Sequence, residues 1–568
     1  MEILDSVINI KNNFLIYLDL IIFKLNSPRY LLSTNDTALK KMEDINFIPS
    51  KLLTFMLIFL IYMFFIENKK FLKTKKIFLV ITLFYITLKL IISYPSFLQL
   101  NQDSVGWIIS SIRMDSLNTF EYLASWDHKG SIIYWIYIVI YKYFKISNNL
   151  WVNFAIVFVL WSVFISYFSY KYLMKNNLNK HSALIISVLM FLNLTFSPGE
   201  SYPVFDSRFI GSSFIFVSIY CLTEKKYSTS SFFLALSLLT LPTFALSAFA
   251  IFVVTIFKFL KTKNNRFLKI LLPYVFVFFG YLAYLFFTSQ FNEFVRLVIK
   301  FNLNLSGVGE YYPLTFVLQS NIYLFIFFGI SLLYSKKLYA KFGENFFIVL
   351  IWSIFAIIHL VLTGPRFYQY DQLLVIPLSL IGYFSLYIIY DFLNFIKKRK
   401  ILTKLLFLIL TVVPISIFSY SITTSLEIKQ LKFDEVSNKI LEVIFFDRDS
   451  KIYQEEPELA IFYIDGKDWQ DVMTNYNFVP STRYWLTIWN KRDSGWTKEF
   501  NWEKVITDEE YEFLLYKDLN NENPKYAVVD KEYKSSYKNL LIDYIDKNYT
   551  LNSCVERYCI YQIKNGES

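Results

Sequence analysis

Cysteine and histidine are close to absent: 568 residues contain three of each. Neither His181 nor His359 has a second His or Cys at ligand spacing, so no zinc motif exists. Glycine and proline are sparse too, at 14 each, while Lys, Asn, Ile and Phe abound. That bias fits an AT-rich coding sequence and accounts for part of the composition. No G-x-G-x-x-G fingerprint occurs in the C-terminal part, which removes the usual support for nucleotide binding there. No secretory leader with a small-residue cleavage site stands at the N-terminus.

What is present is apolar. Hydrophobic residues make up 55% of the chain and aromatic ones 20%, and mean hydropathy is positive. The apolar residues fall in runs of about 15 to 25, the length that crosses a bilayer. Twelve spans are expected, at 52–66, 77–97, 150–173, 182–199, 207–223, 230–241, 244–260, 268–287, 313–334, 345–363, 372–394 and 402–423. The pair at 230–260 is divided by Pro242, and both halves are short. The apolar stretch 131–144 is interrupted at its end by Lys142 and is read as an amphipathic helix on the outer interface.

Charge orders these spans. The segments 67–76, 171–181, 224–227, 258–269, 335–345 and 396–404 hold 23 Lys/Arg, whereas 98–149, 198–208, 288–312 and 364–371 hold 8. The positive-inside rule places the first set in the cytoplasm and the second outside. Counting 131–144 as a span would break this alternation. The net charge of +11 is also divided: residues 425–568 carry 19 basic and 27 acidic groups. A basic membrane part with an acidic tail argues against a nucleic-acid partner. The expected organisation is an N-terminal extension, 1–51, whose side is open and in which 14–25 reads as a further interfacial helix. A polytopic α-helical membrane domain follows at 52–424, and then a small extracytoplasmic α/β domain at 425–568. In that tail, strands are expected at Leu459–Ile464 and Tyr526–Val529, helices at 427–445, 508–519 and 534–547, and a closing pair near 549–563.

Asp103, in Asn101-Gln-Asp-Ser-Val-Gly-Trp107, is read as lying just past the 77–97 span, at the level where membrane gives way to water. A carboxylate there, its pKa raised by desolvation, can act as a base, although Asp is also common in ordinary loops after helices. A polar, aromatic-rich loop runs on to Trp126-Asp-His-Lys-Gly130. Lys129 and Arg366 are candidates for binding a phosphate, or for snorkelling toward headgroups. Asp206 at the start of the 207–223 span orients an acceptor or simply caps the helix, and Arg208 is its expected partner. Neither Asp103 nor Asp206 belongs to a D-x-D, so divalent-metal dependence is disfavoured. Of the many aromatic residues, Trp107, Trp126, Tyr134 and Tyr368 are the ones to consider for sugar stacking. Cys554 and Cys559 flank a short turn in the tail and would bridge in an oxidising compartment.

The order of these motifs resembles the bacterial C-type (GT-C) glycosyltransferases, relatives of the protein O-mannosyltransferases and the lipid A aminoarabinose transferase. Asp103 after an early span is the first point of likeness. The second is Trp126-Asp-His-Lys-Gly-Ser131, similar to the family's Asp-His-Lys-Gly-Pro box with Ser131 in place of the proline. Gly364-Pro-Arg-Phe-Tyr-Gln-Tyr370 with Pro377 is the third, and Pro480-Ser-Thr-Arg-Tyr484 and Asn523-Pro-Lys-Tyr526 recur in tailed members. Where relatives often have a histidine, this chain has Tyr368 and Gln369, so a histidine role does not carry over. The resemblance implies an inverting transferase that takes a sugar from a polyprenyl phosphate and passes it to an extracytoplasmic glycan, lipid or protein. In that scheme Asp103 is catalytic and Lys129 and Arg366 bind the donor phosphate, with Asp206, Arg208, Asp127, His128 and Tyr370 as auxiliary or acceptor residues. It further implies a multi-pass protein of the bacterial cell membrane, with a lipid-linked donor and no other cofactor. The competing reading is a transporter or flippase for lipid-linked sugars, which should show internal repeats and midplane charges. No internal repeat is evident and the polar constellation sits at one face beside a large terminal domain, although Lys89 lies within the 77–97 span. A third, an O-antigen ligase or polymerase, relies on long outer loops rich in Arg and His.

Overall fold

A computed structural model describes residues 102–124, 129–144, 150–175, 207–241, 244–261, 266–301, 322–363, 372–397, 458–463, 478–481, 507–530, 538–555 and 558–564. In chain order the first helices are α1 (Gln102–Ser116), α2 (Glu121–Ala124), α3 (Ser131–Tyr143), α4 (Leu150–Lys175), α5 (Ser207–Thr223), α6 (Tyr227–Thr240) and α7 (Ala245–Lys261). They are followed by α8 (Arg266–Phe287), α9 (Phe291–Phe294), a π-helical turn Val295–Phe301, α10 (Ile322–Leu333), α11 (Ser335–Phe342), α12 (Glu344–Thr363) and α13 (Gln372–Lys397). The chain is thus mostly helical, with one small sheet in its C-terminal part.

Among the described residues, two helices are long and apolar enough to cross a membrane, Ile156–Lys175 and Arg266–Phe287. The second keeps Leu272, Phe276, Phe279 and Phe286 exposed along its length, an apolar outer surface that suits lipid better than water. The helices approach one another through small residues, as membrane bundles do. Between α10 and α13, Ser331 Oγ lies 2.6 Å from Ser385 Oγ, and a Cβ on Gly382 would come within 2.8 Å of the Phe327 ring. Between α5 and α6 the hydroxyls of Ser218 and Ser230 meet at 2.9 Å. Pro377 lies inside α13, and its carbonyl accepts from Ser353 Oγ of α12 at 3.2 Å.

Helices occupy most of the expected spans that fall on described residues. The spans 52–66, 77–97, 182–199 and 402–423, and part of 313–334, lie outside them. One expectation is corrected. Residues 98–149 read as an interhelical loop with a single interfacial helix, yet three helices occupy the described part, and Asp103 is the second residue of α1; the 77–97 span expected before it lies outside the described residues. Its first half is rich in small and polar residues with no helical periodicity. What holds α1 is burial against α3, with Trp107 edge-on to Tyr137 at 5.8 Å and Ser111 Oγ donating to the Tyr134 carbonyl at 3.3 Å. At 13 residues, α3 is about 20 Å long, short of the roughly 30 Å hydrocarbon core. It buries Ile133, Tyr134, Tyr137 and Ile140 and exposes Val139 and Tyr143.

The C-terminal elements are β1 (Glu458–Tyr463), β2 (Phe478–Pro480), α14 (Asp508–Glu522), β3 (Tyr526–Asp530), α15 (Lys538–Asn548), β4 (Tyr549–Val555) and β5 (Tyr558–Ile563). They lie close to the strands and helices expected there; the expected helix 427–445 is outside the described residues. The sheet order is β2-β1-β3-β5-β4. β1 is parallel to β2 and β3, and β5 is antiparallel to β3 and β4. Parallel strands must be joined by a crossover, which α14 supplies between β2 and β3. Thr507 caps α14 by accepting from the Glu510 N–H, and Asn523 ends it in a left-handed conformation. Two ion pairs join α14 to the membrane-side helices: Glu522 to Arg113 of α1, and Glu510 to Arg296 of the π-helical turn.

Candidate active site

Arg113 is completely buried, and three elements meet on its guanidinium. Its Nε donates to the Ala124 carbonyl at 2.7 Å, while Nη1 and Nη2 donate to the two carboxylate oxygens of Glu522 at 3.1 and 2.9 Å. The side chain thereby ties α1, which carries Asp103, to α2 and to α14. Lys142 of α3 pairs with Asp115 at the C-terminal end of α1.

Glu121, Tyr122 and Lys129–Ser131 are held to α8 and to Gln290 just beyond it by a buried polar network. The Tyr122 N–H donates to Gln290 Oε1 at 3.0 Å, and the Tyr122 hydroxyl donates to the carbonyl of Lys129 at 2.9 Å. The hydroxyls of Tyr281 and Ser131 meet at 2.7 Å, and Tyr281 also lies 3.3 Å from the Tyr122 hydroxyl. Glu121, fully buried, accepts from the Tyr284 hydroxyl at 2.9 Å and from Trp135 Nε1 at 3.4 Å. Burial raises its carboxyl above the ordinary carboxylate range, opposed by hydrogen bonds from Ser131, Tyr284 and Trp135. Burial likewise pushes the Tyr122 phenol well up, so it stays a hydrogen-bond donor.

Gly130 and Ser131 acquire physical roles here. The Gly130 N–H donates to the Thr240 carbonyl at 3.1 Å, and a Cβ at Gly130 would stand 1.9 Å from the Leu239 carbonyl oxygen. Only glycine permits this approach of the loop to the end of α6. Ser131 is the first residue of α3, where a proline is tolerated because its missing N–H has no helical partner anyway. Serine at that position instead supplies the hydroxyl that meets Tyr281.

Lys129 is 3% exposed at the top of this network, so a cation is held inside the protein rather than waving in solvent. Arg208, in the first turn of α5, is also buried and lies within electrostatic reach of His359 on α12. The main chain of Asp103 belongs to the first turn of α1. Asp127, His128, Asp206, Arg366, Tyr368, Trp126 and Tyr370 lie outside the described residues. Trp107 and Tyr134, considered for sugar stacking, are packed in the core at 1% and 0% exposure. Among the described residues no three His, Cys, Asp or Glu side chains are grouped as a metal site would require.

Sequence reasoning missed Glu121, Tyr122, Tyr281, Tyr284, Gln290 and the Arg113 junction. The available signal was Glu121 between Phe120 and Tyr122: an acid flanked by large aromatic residues is poorly placed for a solvated loop.

No protein-family model matches the chain, and no curated protein matches its sequence. Among solved structures, the crystal structure of ArnT from Cupriavidus metallidurans bound to undecaprenyl phosphate is similar, with a TM-score of 0.51 at 11% sequence identity. The similarity covers 86% of this chain and 98% of that one. The chain therefore shares the fold of that protein, in keeping with the resemblance that the order of its motifs suggested.

Proposed function

We propose that this protein is an inverting glycosyltransferase that moves a sugar from a polyprenyl-phosphate donor to an acceptor hydroxyl on the extracytoplasmic face of the bacterial cell membrane. The observation that supports this most is the similarity to a structure holding undecaprenyl phosphate, over 86% of the chain, together with the buried cation Lys129 in the box that resembles the family's.

In this reading Asp103 takes the proton from the acceptor hydroxyl as its oxygen attacks the anomeric carbon. The bond from that carbon to the phosphate oxygen breaks from the opposite side, and its electron pair leaves with the polyprenyl phosphate. Residue 103 lies in the first turn of α1, and in this reading its carboxylate serves as the general base. The donor diester carries one negative charge and the departing monoester approaches two. Lys129 and Arg366 therefore bind the transition state more tightly than the ground state. Asp206, Arg208, Asp127, His128 and Tyr370 orient acceptor and sugar. The spans position these groups on the outer face, with the C-terminal part, 425–568, beside them.

The test is transfer of a labelled sugar by purified protein reconstituted with a panel of synthetic polyprenyl-phosphate sugars. Asp103→Asn should lower turnover by about 100-fold or more with donor binding retained. Lys129→Ala and Arg366→Ala should weaken donor binding as well. Native-rate transfer by Asp103→Asn would overturn the assignment of the base, and counter-transport without transfer would overturn the enzyme.

A further inference from the structure

A cluster of positive charge outside the candidate active site lies at the opposite end of α6. Four cations, Lys225, Lys226, Arg266 and Lys269, line a cavity of about 380 Å³ together with the hydroxyl groups of the first turn of α6. No carboxylate is among the lining residues. The nearest acid in sequence, Glu224, is paired with Lys175. Arg266 is set over the Tyr227 ring, 5.7 Å from its centroid, with Nη1 donating to the hydroxyl at 3.4 Å, so the cavity wall is partly built by ordered contacts. Lys226 precedes α6 without a side-chain cap, and the first N–H groups of a helix have no partners within it. Four like charges gathered round one space raise the local positive potential and favour an anion there.

The neighbouring surface bears on which anion would fit. Lys269 begins a single face of α8 that continues, at helical spacing, through the exposed Leu272, Phe276 and Phe279. A phosphate at the cations with hydrocarbon along that stripe is the shape of a phospholipid. A soluble phosphate would make no use of it. We propose that this cavity binds the phosphate of an anionic phospholipid whose acyl chain lies along Leu272, Phe276 and Phe279. Basic pockets between membrane helices are suited to such headgroups. The site is separate from Lys129: Gly130 bonds the C-terminal end of α6, the cations cluster at its N-terminal end, and the 14 residues between span about 21 Å. The inference rests on the chain being embedded in a membrane and is independent of sugar transfer.

The test uses the full-length protein, delipidated in mild detergent and titrated with phosphatidylglycerol, phosphatidylcholine or inorganic phosphate, with bound molecules counted by native mass spectrometry. The native protein should retain one phosphatidylglycerol that Lys226→Gln/Lys269→Gln holds at least about tenfold more weakly. Phosphatidylcholine should bind both weakly and equally. Should the double variant unfold, Lys269→Gln alone, at an exposed position, carries the comparison. Equal phosphatidylglycerol retention by native and variant protein would overturn the proposal. Inorganic phosphate bound as tightly as phosphatidylglycerol would assign the site to a soluble ligand and overturn the lipid. Sugar transfer by Lys269→Gln should match the native rate, so failure here and failure of the transferase reading give different results.

Discussion

Arg113 and Glu522 form a buried, two-pronged ion pair between α1 and the C-terminal end of α14, with the arginine fully buried and the glutamate side chain 12% exposed. A carboxylate at a helix C-terminus opposes the helix dipole, so Glu522 is tolerated there because the guanidinium faces it. Glu522→Ala removes the two-pronged carboxylate partner of a buried cation and should cost about 3–5 kcal/mol. Arg113→Met/Glu522→Leu, which removes both charges, should recover most of that loss. Unfolding of the two single variants and the double variant gives the coupling directly. Additive losses would mean that the two side chains do not act on each other. Since the same guanidinium holds α2 and sits on the helix that carries Asp103, Glu522→Ala should also slow transfer.

A second outcome concerns pH. Glu121 has its carboxyl raised by burial, so the folded protein holds the protonated form to higher pH than the unfolded chain does. The stabilisation from that form is fully present below the ordinary glutamate range and is lost as pH rises through the raised folded value. Glu121→Gln keeps an acceptor for Tyr284 and Trp135 and removes the ionisation. Its thermal midpoint should equal that of the native protein in acid and exceed it at alkaline pH. A variant less stable than native at every pH would show that the carboxylate is the favoured species.

Close packing at Gly130 makes a third prediction. An alanine there places Cβ against the backbone of Leu239 and Thr240, none of which can turn aside, so α3 and α6 must separate. Gly130→Ala should lose about 1–3 kcal/mol or more and should displace Lys129, with a fall in donor binding. Gly280 is the control, because a Cβ there meets nothing within 4 Å. In the body of α8, Gly280→Ala should be neutral or gain up to about 1 kcal/mol. Equal behaviour of the two variants in thermal unfolding would dismiss the clash.

The apolar helices were legible because a run of bilayer length declares itself locally: 207–223 and 345–363 needed nothing but composition and match α5 and α12 within a residue. The strands of the tail were legible for a related reason, as short apolar runs between polar turns. α1 was not, since Ser104, Gly106, Ser110 and Ser111 break any period and its partner is α3. The buried network was equally hidden. Glu121 meets Tyr284 across 163 positions and Tyr122 meets Gln290 across 168, and one sequence carries no trace of such pairs. Lys129 could be singled out from its motif, but its burial depends on that network.

The link between Cys554 and Cys559 gives the last prediction. The two residues face each other across the β4–β5 hairpin as register partners, with Cα atoms 4.1 Å apart, and are bridged. Cys559 is buried against the sheet and Cys554 is exposed, so a reductant reaches the bond from the Cys554 side. Five positions separate them, and closing so short a loop contributes about 2 kcal/mol at most, less where the hairpin already holds the ends together. Cys554→Ser/Cys559→Ser should therefore lower the stability of the C-terminal sheet slightly and leave sugar transfer unchanged. In the native protein, alkylation without reduction should label neither residue, and reduction should expose both. Labelling of both thiols before any reductant is added would rule the bridge out, and with it this support for an oxidising, extracytoplasmic setting of the tail.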